Sequence, residues 1–275
     1  MLVPASSASA ALEGEYAKFK TCPLSNLSVE ACLYAESTSG EFTIGKKTVP
    51  LVNPQILKGG AFGAEGVLGP VTIVAPTDGL VLSKTPQPVP GGLLGITAPT
   101  WWPQILKDLF NETINNGFTG VTATVELAGT AANVKANFAA ALFAQGTAFS
   151  LPVKVKLSNP FLGSNCYVGS NSNPVTLNLT TGTTSPPPPN TPISGDRGEG
   201  LEDPNGRFIY LQNNKLVDNS FSAPGASGCG GFLFSWAVDP LVDSILGTPS
   251  PAGKNTAILK GTTWLGVAEL LRPLQ

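Results

Sequence analysis

Apolar and polar residues alternate with period two in several short runs of the chain, each bounded by Gly, Pro, Asn or Asp. Such alternation puts every second side chain on one face of a strand and predicts half-buried β-structure. In "EFTIGKKTVPLV", Phe42, Ile44, Val49 and Leu51 flank a Gly45-Lys46 turn, which predicts a hairpin. "VTIVAP" and "GLVLSK" predict two further strands joined through Pro76-Thr77-Asp78-Gly79. "GVTATVELAG" sets Val121, Ala123, Val125 and Leu127 against Thr122, Thr124 and Glu126. "FSLPVKVKLSNP" does the same with Val153, Val155 and Leu157 against Lys154 and Lys156, and "NPVTLNLTT" has Val175, Leu177 and Leu179 on its inner face. "RFIYLQNNKLVDN" predicts a hairpin turning at Asn213-Asn214, and "AILKGTTWLGVAELL" predicts one or two closing strands.

Three stretches carry helical signals instead. In "TWWPQILKDLFNETINNG", Thr100 can cap, Pro103 suits an early helical position, and Ile105, Leu106, Leu109, Phe110 and Ile114 form one apolar face before Gly117. "ANVKANFAAALFAQG" reads either as a helix ending at Gly146 or as a tight sheet corner. "DPLVDSILG" predicts a short helix with Asp239 as cap and Pro240 at its first position. Many short strands with Gly/Pro turns and two or three short helices predict a mainly β protein, a β-sandwich or a distorted antiparallel β-barrel. Residues 1–15 read as a residual signal or disordered tail, and 16–275 as a single mainly β domain.

Composition narrows the function classes. Only 12% of residues are charged and the net charge is -2, so no electrostatic footprint for a phosphate backbone exists and nucleic acid is not an expected partner. The chain has no histidine, which excludes Ser-His-Asp and Cys-His catalysis and removes the commonest metal ligand. Its four cysteines, Cys22, Cys32, Cys166 and Cys229, form no C-x-x-C pair and predict two disulfides, with three pairings open. Disulfides imply an oxidising compartment, and Ala8-Ser9-Ala10 fits the small-x-small pattern that precedes signal-peptide cleavage. No run of about 20 apolar residues suggests a membrane-spanning helix.

The segments "LSKTPQPVPGGLLG", "KLSNPFLGSNCYVGSNSNPVTLNLTTGTTSPPPPN", "NSFSAPGASGCGG" and "CPLSNLSVEAC" followed by "GEFTIGKKTVPL" resemble a family of uncharacterised exported actinobacterial proteins. The resemblance spans nearly the whole chain from Cys22 onward. It implies secretion or a cell-envelope setting, and pairing of Cys22 with Cys32 and of Cys166 with Cys229. It implies no catalytic residue and no cofactor. With Cys166 joined to Cys229, the prolines at 186–189 lie inside the bridged loop and form a stiff crossover rather than an interdomain linker.

Few residues stand out chemically. Asp196, Glu199, Glu202 and Asp203 lie within eight residues and offer oxygen ligands for calcium, but the loop lacks the spacing of a calcium-binding loop and carries Arg197 and Arg207, so a solvated turn is expected. Glu126, Glu199 and Asp239 are the carboxylates from which a hydrolase pair would be drawn. Ser83-Lys84 is no dyad, because neighbours along a strand face opposite sides. Adjacent Trp101 and Trp102 cannot both enter one core, so one is expected at a surface, available to a lipid, a glycan or a partner.

The expected function is therefore non-catalytic: a secreted or cell-envelope protein in a structural, surface-association or adhesion role, with a cell-wall component or a second copy as partner. The alternative is a carrier for a lipid or glycan, with the Trp101-Trp102 helix as lid over a β-lined cavity. An oligomeric pore and a carboxylate-based hydrolase complete the range.

Overall fold

The computed structural model describes residues 14–64, 66, 68–94, 98–114 and 119–274. The tail expected over residues 1–15 lies outside them up to residue 13. Gly14 and Glu15 already belong to a 3-10 turn, Gly14–Phe19, in which the Glu15 carboxylate accepts a hydrogen bond from Trp264 Nε1 at 2.9 Å.

The strands are β1 (Ala31–Ile44), β2 (Lys47–Pro50), β3 (Gln55–Phe62), β4 (Pro70–Val74), β5 (Pro86–Pro88), β6 (Thr122–Leu127) and β7 (Lys135–Asn137). They continue as β8 (Phe149–Ser158), β9 (Tyr167–Val168), β10 (Val175–Leu179), β11 (Glu199–Glu202), β12 (Phe208–Asp218), β13 (Ala226–Ser227) and β14 (Thr256–Val267). The helices are α1 (Gln104–Ile114), α2 (Phe138–Phe143), α3 (Gly231–Leu246) and α4 (Ala268–Leu271).

Antiparallel ladders join the strands in the order β11-β12-β14-β1-β3-β4-β7-β8-β6-β5, while β2 pairs with β1, β10 and β9 pair with β8, and β13 pairs with β9. The sheet folds back on itself without closing. At the seam, Thr180, just past β10, exchanges two backbone hydrogen bonds of 2.9 Å with Val217 of β12. Asp218 adds a third link by accepting from Asn178 N at 2.7 Å. The protein is thus mainly β and antiparallel, as its alternating runs predict, with the two disulfides formed as Cys22–Cys32 and Cys166–Cys229.

One core fills the interior of the folded sheet, and Leu33, Ile73, Phe149, Val153, Val175 and Val217 are among its buried side chains. A second cluster covers the opposite face of β1 and β14, where Phe19, Val29, Phe208 and Leu271 pack around the Cys22–Cys32 bridge. There Lys18 sits 4.9 Å from the Tyr34 ring centroid and 4.7 Å from that of Trp264, and pairs with Glu36 at 2.9 Å.

The Gly45-Lys46 hairpin forms, with Gly45 at φ +58°. Three local readings change. "GLVLSK" makes only an isolated bridge, Leu82 to Leu57, because Asp78 and Gly79 turn the chain back against the edge of β3. Asn213-Asn214 is not a hairpin turn: β12 runs straight through, pairing with β14 on both sides of a register shift between Leu211 and Asn214. Asn213 takes φ +57°, a conformation that serves a bulge as well as a turn, and the buried Asn214 amide donates to Thr263 Oγ1 at 2.8 Å. Finally, α3 starts at Gly231, about two turns before the expected Asp239 cap, and carries Pro240 in its interior.

Candidate ligand cavity and apolar cap

The inward residues of the alternating runs do not meet everywhere. Between β1–β2 on one side and β6, β8 and β10 on the other they leave an apolar cavity with a free volume of about 70 Å³. Phe42, Ile44 and Val49 face Val125, Val155 and Leu177 across it, and Ala123 contributes the smallest side chain of the wall. An adjoining cavity of about 40 Å³ shares Lys47, Val89, Leu157 and Leu246 and ends at Val242 and Ile245 of α3. The two cavities share a wall, one lying in the sheet interior and the other under α3.

Polar groups in the walls are few. Gln87 is committed to the backbone: its Oε1 accepts from Val52 N at 2.9 Å and Asn53 N at 3.0 Å, and its Nε2 donates to Asn53 O at 2.8 Å. Gln55 Nε2 donates to the Ser83 carbonyl and to Ser83 Oγ, which leaves its buried Oε1 without a hydrogen-bond partner. An orphaned acceptor of this kind costs roughly 1–3 kcal/mol. Lys47 borders both cavities, and burial lowers its pKa from the ordinary lysine value of 10.5, as expected for an ammonium beside apolar walls.

The chain flanking α1 and the helix α3 meet at the same end, where Leu93 and Val121 line the second cavity with Val242. The Cys166–Cys229 bridge anchors the start of α3, and Gly230 N donates to Leu162 O at 2.8 Å. Nearby, Asn159 Nδ2 donates to Gly120 O at 2.8 Å, which ties this corner to the chain leaving α1. The carboxylates of α3 turn inward. Asp239 accepts from the backbone N–H groups of Cys229 (2.7 Å) and Gly228 (3.2 Å), and Asp243 accepts from Ala226 N and Thr248 Oγ1, both at 2.6 Å. Asp239 thus caps the chain before the helix that contains it, not the helix start that its Asp-Pro sequence suggests.

Trp101 is 80% exposed, while Trp102 is half-buried and packs edge-on against Phe110 at 5.6 Å. Ile105, Leu106 and Leu109, expected as a core-facing stripe, are all exposed. Neither tryptophan lines the cavity, whose helical border comes from α3. Sequence reasoning missed α3 as a site element. The usable signal was Ser235, Val238, Val242 and Leu246, a stripe at helical spacing that crosses the proline.

The acidic segment disperses. Glu199 and Glu202 lie on edge strand β11, Asp196 turns back on Gly198 N at 2.8 Å, and buried Asp203 accepts from Tyr16 Oη at 2.8 Å. Among the described residues no three acidic or sulfur side chains converge to hold a metal ion. Glu126, Glu199 and Asp239 sit on three separate elements, β6, β11 and α3. Among the described residues no helix is long and apolar enough to cross a membrane. The disulfides suggest an oxidising compartment.

Comparison with known protein families, with curated proteins and with solved structures returns no significant match to this chain.

Proposed function

We propose that the protein is a non-catalytic carrier for an apolar single-chain ligand, exported to the envelope or exterior of an actinobacterial cell. The observation that carries this reading is the apolar cavity between β1–β2 and β6–β8–β10, with a second apolar cavity beside it under α3. An engineered cavity of about 150 Å³ takes up benzene and stays dry when empty, so about half that volume receives only the end of a linear acyl or prenyl chain, not a whole ligand. A glycan fits poorly, because its hydroxyls need several polar partners and the walls offer chiefly Gln55 Oε1. Export is supported by the two disulfides and by the resemblance carried by the segments around Cys22, Cys166 and Cys229.

The test is displacement of a fluorescent polyene fatty acid from the purified protein, repeated with Ala123→Phe, which places a phenyl ring in the cavity. Wild-type uptake that the variant abolishes is expected. A wild type that takes up no acyl probe, or a variant that takes it up equally well, sinks the carrier reading.

A further inference from the structure

Helix α3 is apolar on both faces. Ser235, Val238, Val242 and Leu246 turn toward the sheet, whereas Phe232 (98% exposed), Leu233, Phe234, Trp236 (79% exposed) and Leu241 turn away from it. The two carboxylates of the helix, Asp239 and Asp243, are held inward by backbone N–H groups and Thr248, so the outer face carries no ionisable group. A helix hydrophobic all round belongs in a protein core or against a second apolar medium.

The charges around it identify that medium. At about 150–250 Å² per aromatic side chain, Phe232, Phe234 and Trp236 alone expose roughly 500 Å², as much as the largest patch on an ordinary monomer. Lysines stand at both ends of the ridge. At one end Lys46 donates a hydrogen bond to the Ser244 carbonyl in the last turn. At the other end Lys156 lines a cleft with Gly163, whose backbone packs against Gly231. An aromatic ridge flanked by cations, with its acids turned inward, is the arrangement of a helix lying in a lipid interface.

We propose that α3 docks the protein on a lipid surface, with Phe232, Phe234 and Trp236 among the acyl chains and the lysines at the phosphates. Docking does not depend on the cavity being filled. It would bring the apolar space under α3 up to the lipid.

Co-sedimentation with phosphatidylcholine vesicles, with and without phosphatidylglycerol, tests this. Wild type is expected to bind both, more tightly with phosphatidylglycerol, and added salt should remove only that increment. Phe232→Ser/Trp236→Ser is expected to lower the partition coefficient at least ~10-fold. Leu27→Ser, at an exposed apolar residue elsewhere, should not. Vesicles with brominated acyl chains should quench wild-type tryptophan fluorescence, and less so in Trp236→Phe, a readout that does not require the double variant to fold. Absence of binding to either vesicle, absence of quenching, or equal partition of the double variant would overturn the proposal. So would a dimer in light scattering that the double variant abolishes while vesicles are not bound, since the occupant would then be a second copy.

Discussion

Asp218 shows how one side chain can bridge the open seam of a sheet and load it with a charge. Its Oδ2 accepts from Asn178 N at 2.7 Å and its Oδ1 from Ser220 N at 2.8 Å, so it joins the strand on each side of the seam. Burial pushes its pKa above the ordinary 3.8, and the two backbone N–H groups pull it down by less. The folded chain therefore holds this proton more tightly than the unfolded chain. The stability it contributes is complete below pH 3.8 and is lost as pH rises through the raised folded value. Asp218→Asn removes the titration and turns an amide N–H toward a backbone N–H, a loss of roughly 1–3 kcal/mol at neutral pH. In urea melts the wild type's advantage over this variant is expected to narrow as pH rises through that window. An advantage that widens with pH would contradict the assignment.

The β1–β14 ladder depends on a close approach. It pairs Ala31 with Val267 at one end and Thr43 with Thr256 at the other, and its register shifts between Ser37 and Ser39. At the shift the strands come so near that a Cβ on Gly261 would overlap the Glu36 carbonyl oxygen. Backbone cannot yield as a flexible side chain does, so Gly261→Ala must part the two central strands. A loss of about 3 kcal/mol or more is expected in equilibrium unfolding, beyond ordinary overpacking of a core. A variant within 0.5 kcal/mol of wild type, a roughly neutral surface-type effect, would mean that the strands are not held this closely. The faces of β6, β8 and β10 were legible in the sequence, because Ala123, Val125, Val153, Val155, Val175 and Leu177 alternate without interruption. The shift at Asn213 was not, since a left-handed Asn serves a turn and a bulge alike and β14 alone decides between them.

For the whole molecule, the Cys166–Cys229 bridge matters most. It spans 63 residues of chain, including the proline tract, and fastens the start of α3 to the strands beneath it. The tract itself is held against the body, with Asn190 N donating to Gly253 O at 3.0 Å. On the chain-entropy relation a loop of this length is worth about 4 kcal/mol, against about 3 kcal/mol for the Cys22–Cys32 loop, which spans 10 residues. Cys166→Ala/Cys229→Ala is therefore expected to cost more stability than Cys22→Ala/Cys32→Ala. Hydrogen exchange should rise first across 226–246 in the former and near β1 in the latter. Equal protection of α3 in both variants would show that the bridge does not anchor the helix.

The sequence by itself determined the mainly β class, the inner faces of the strands and the number of disulfides. These follow from side-chain alternation and residue counts, which are local properties. The cysteine pairing, Cys22 with Cys32 and Cys166 with Cys229, is a property of the tertiary structure. Only the tertiary structure decided that the inner faces of β1–β2 and β6–β8–β10 stand far enough apart to leave a cavity, because free volume depends on how distant strands meet. It also decided the role of α3. Asp239-Pro240 has the local form of a helix start, and long-range bonds from Asp239 to Gly228 and Cys229 place it in mid-helix instead. The outward Phe232 and Trp236 follow from that placement: the sheet takes one face of the helix, and the described residues leave the other exposed.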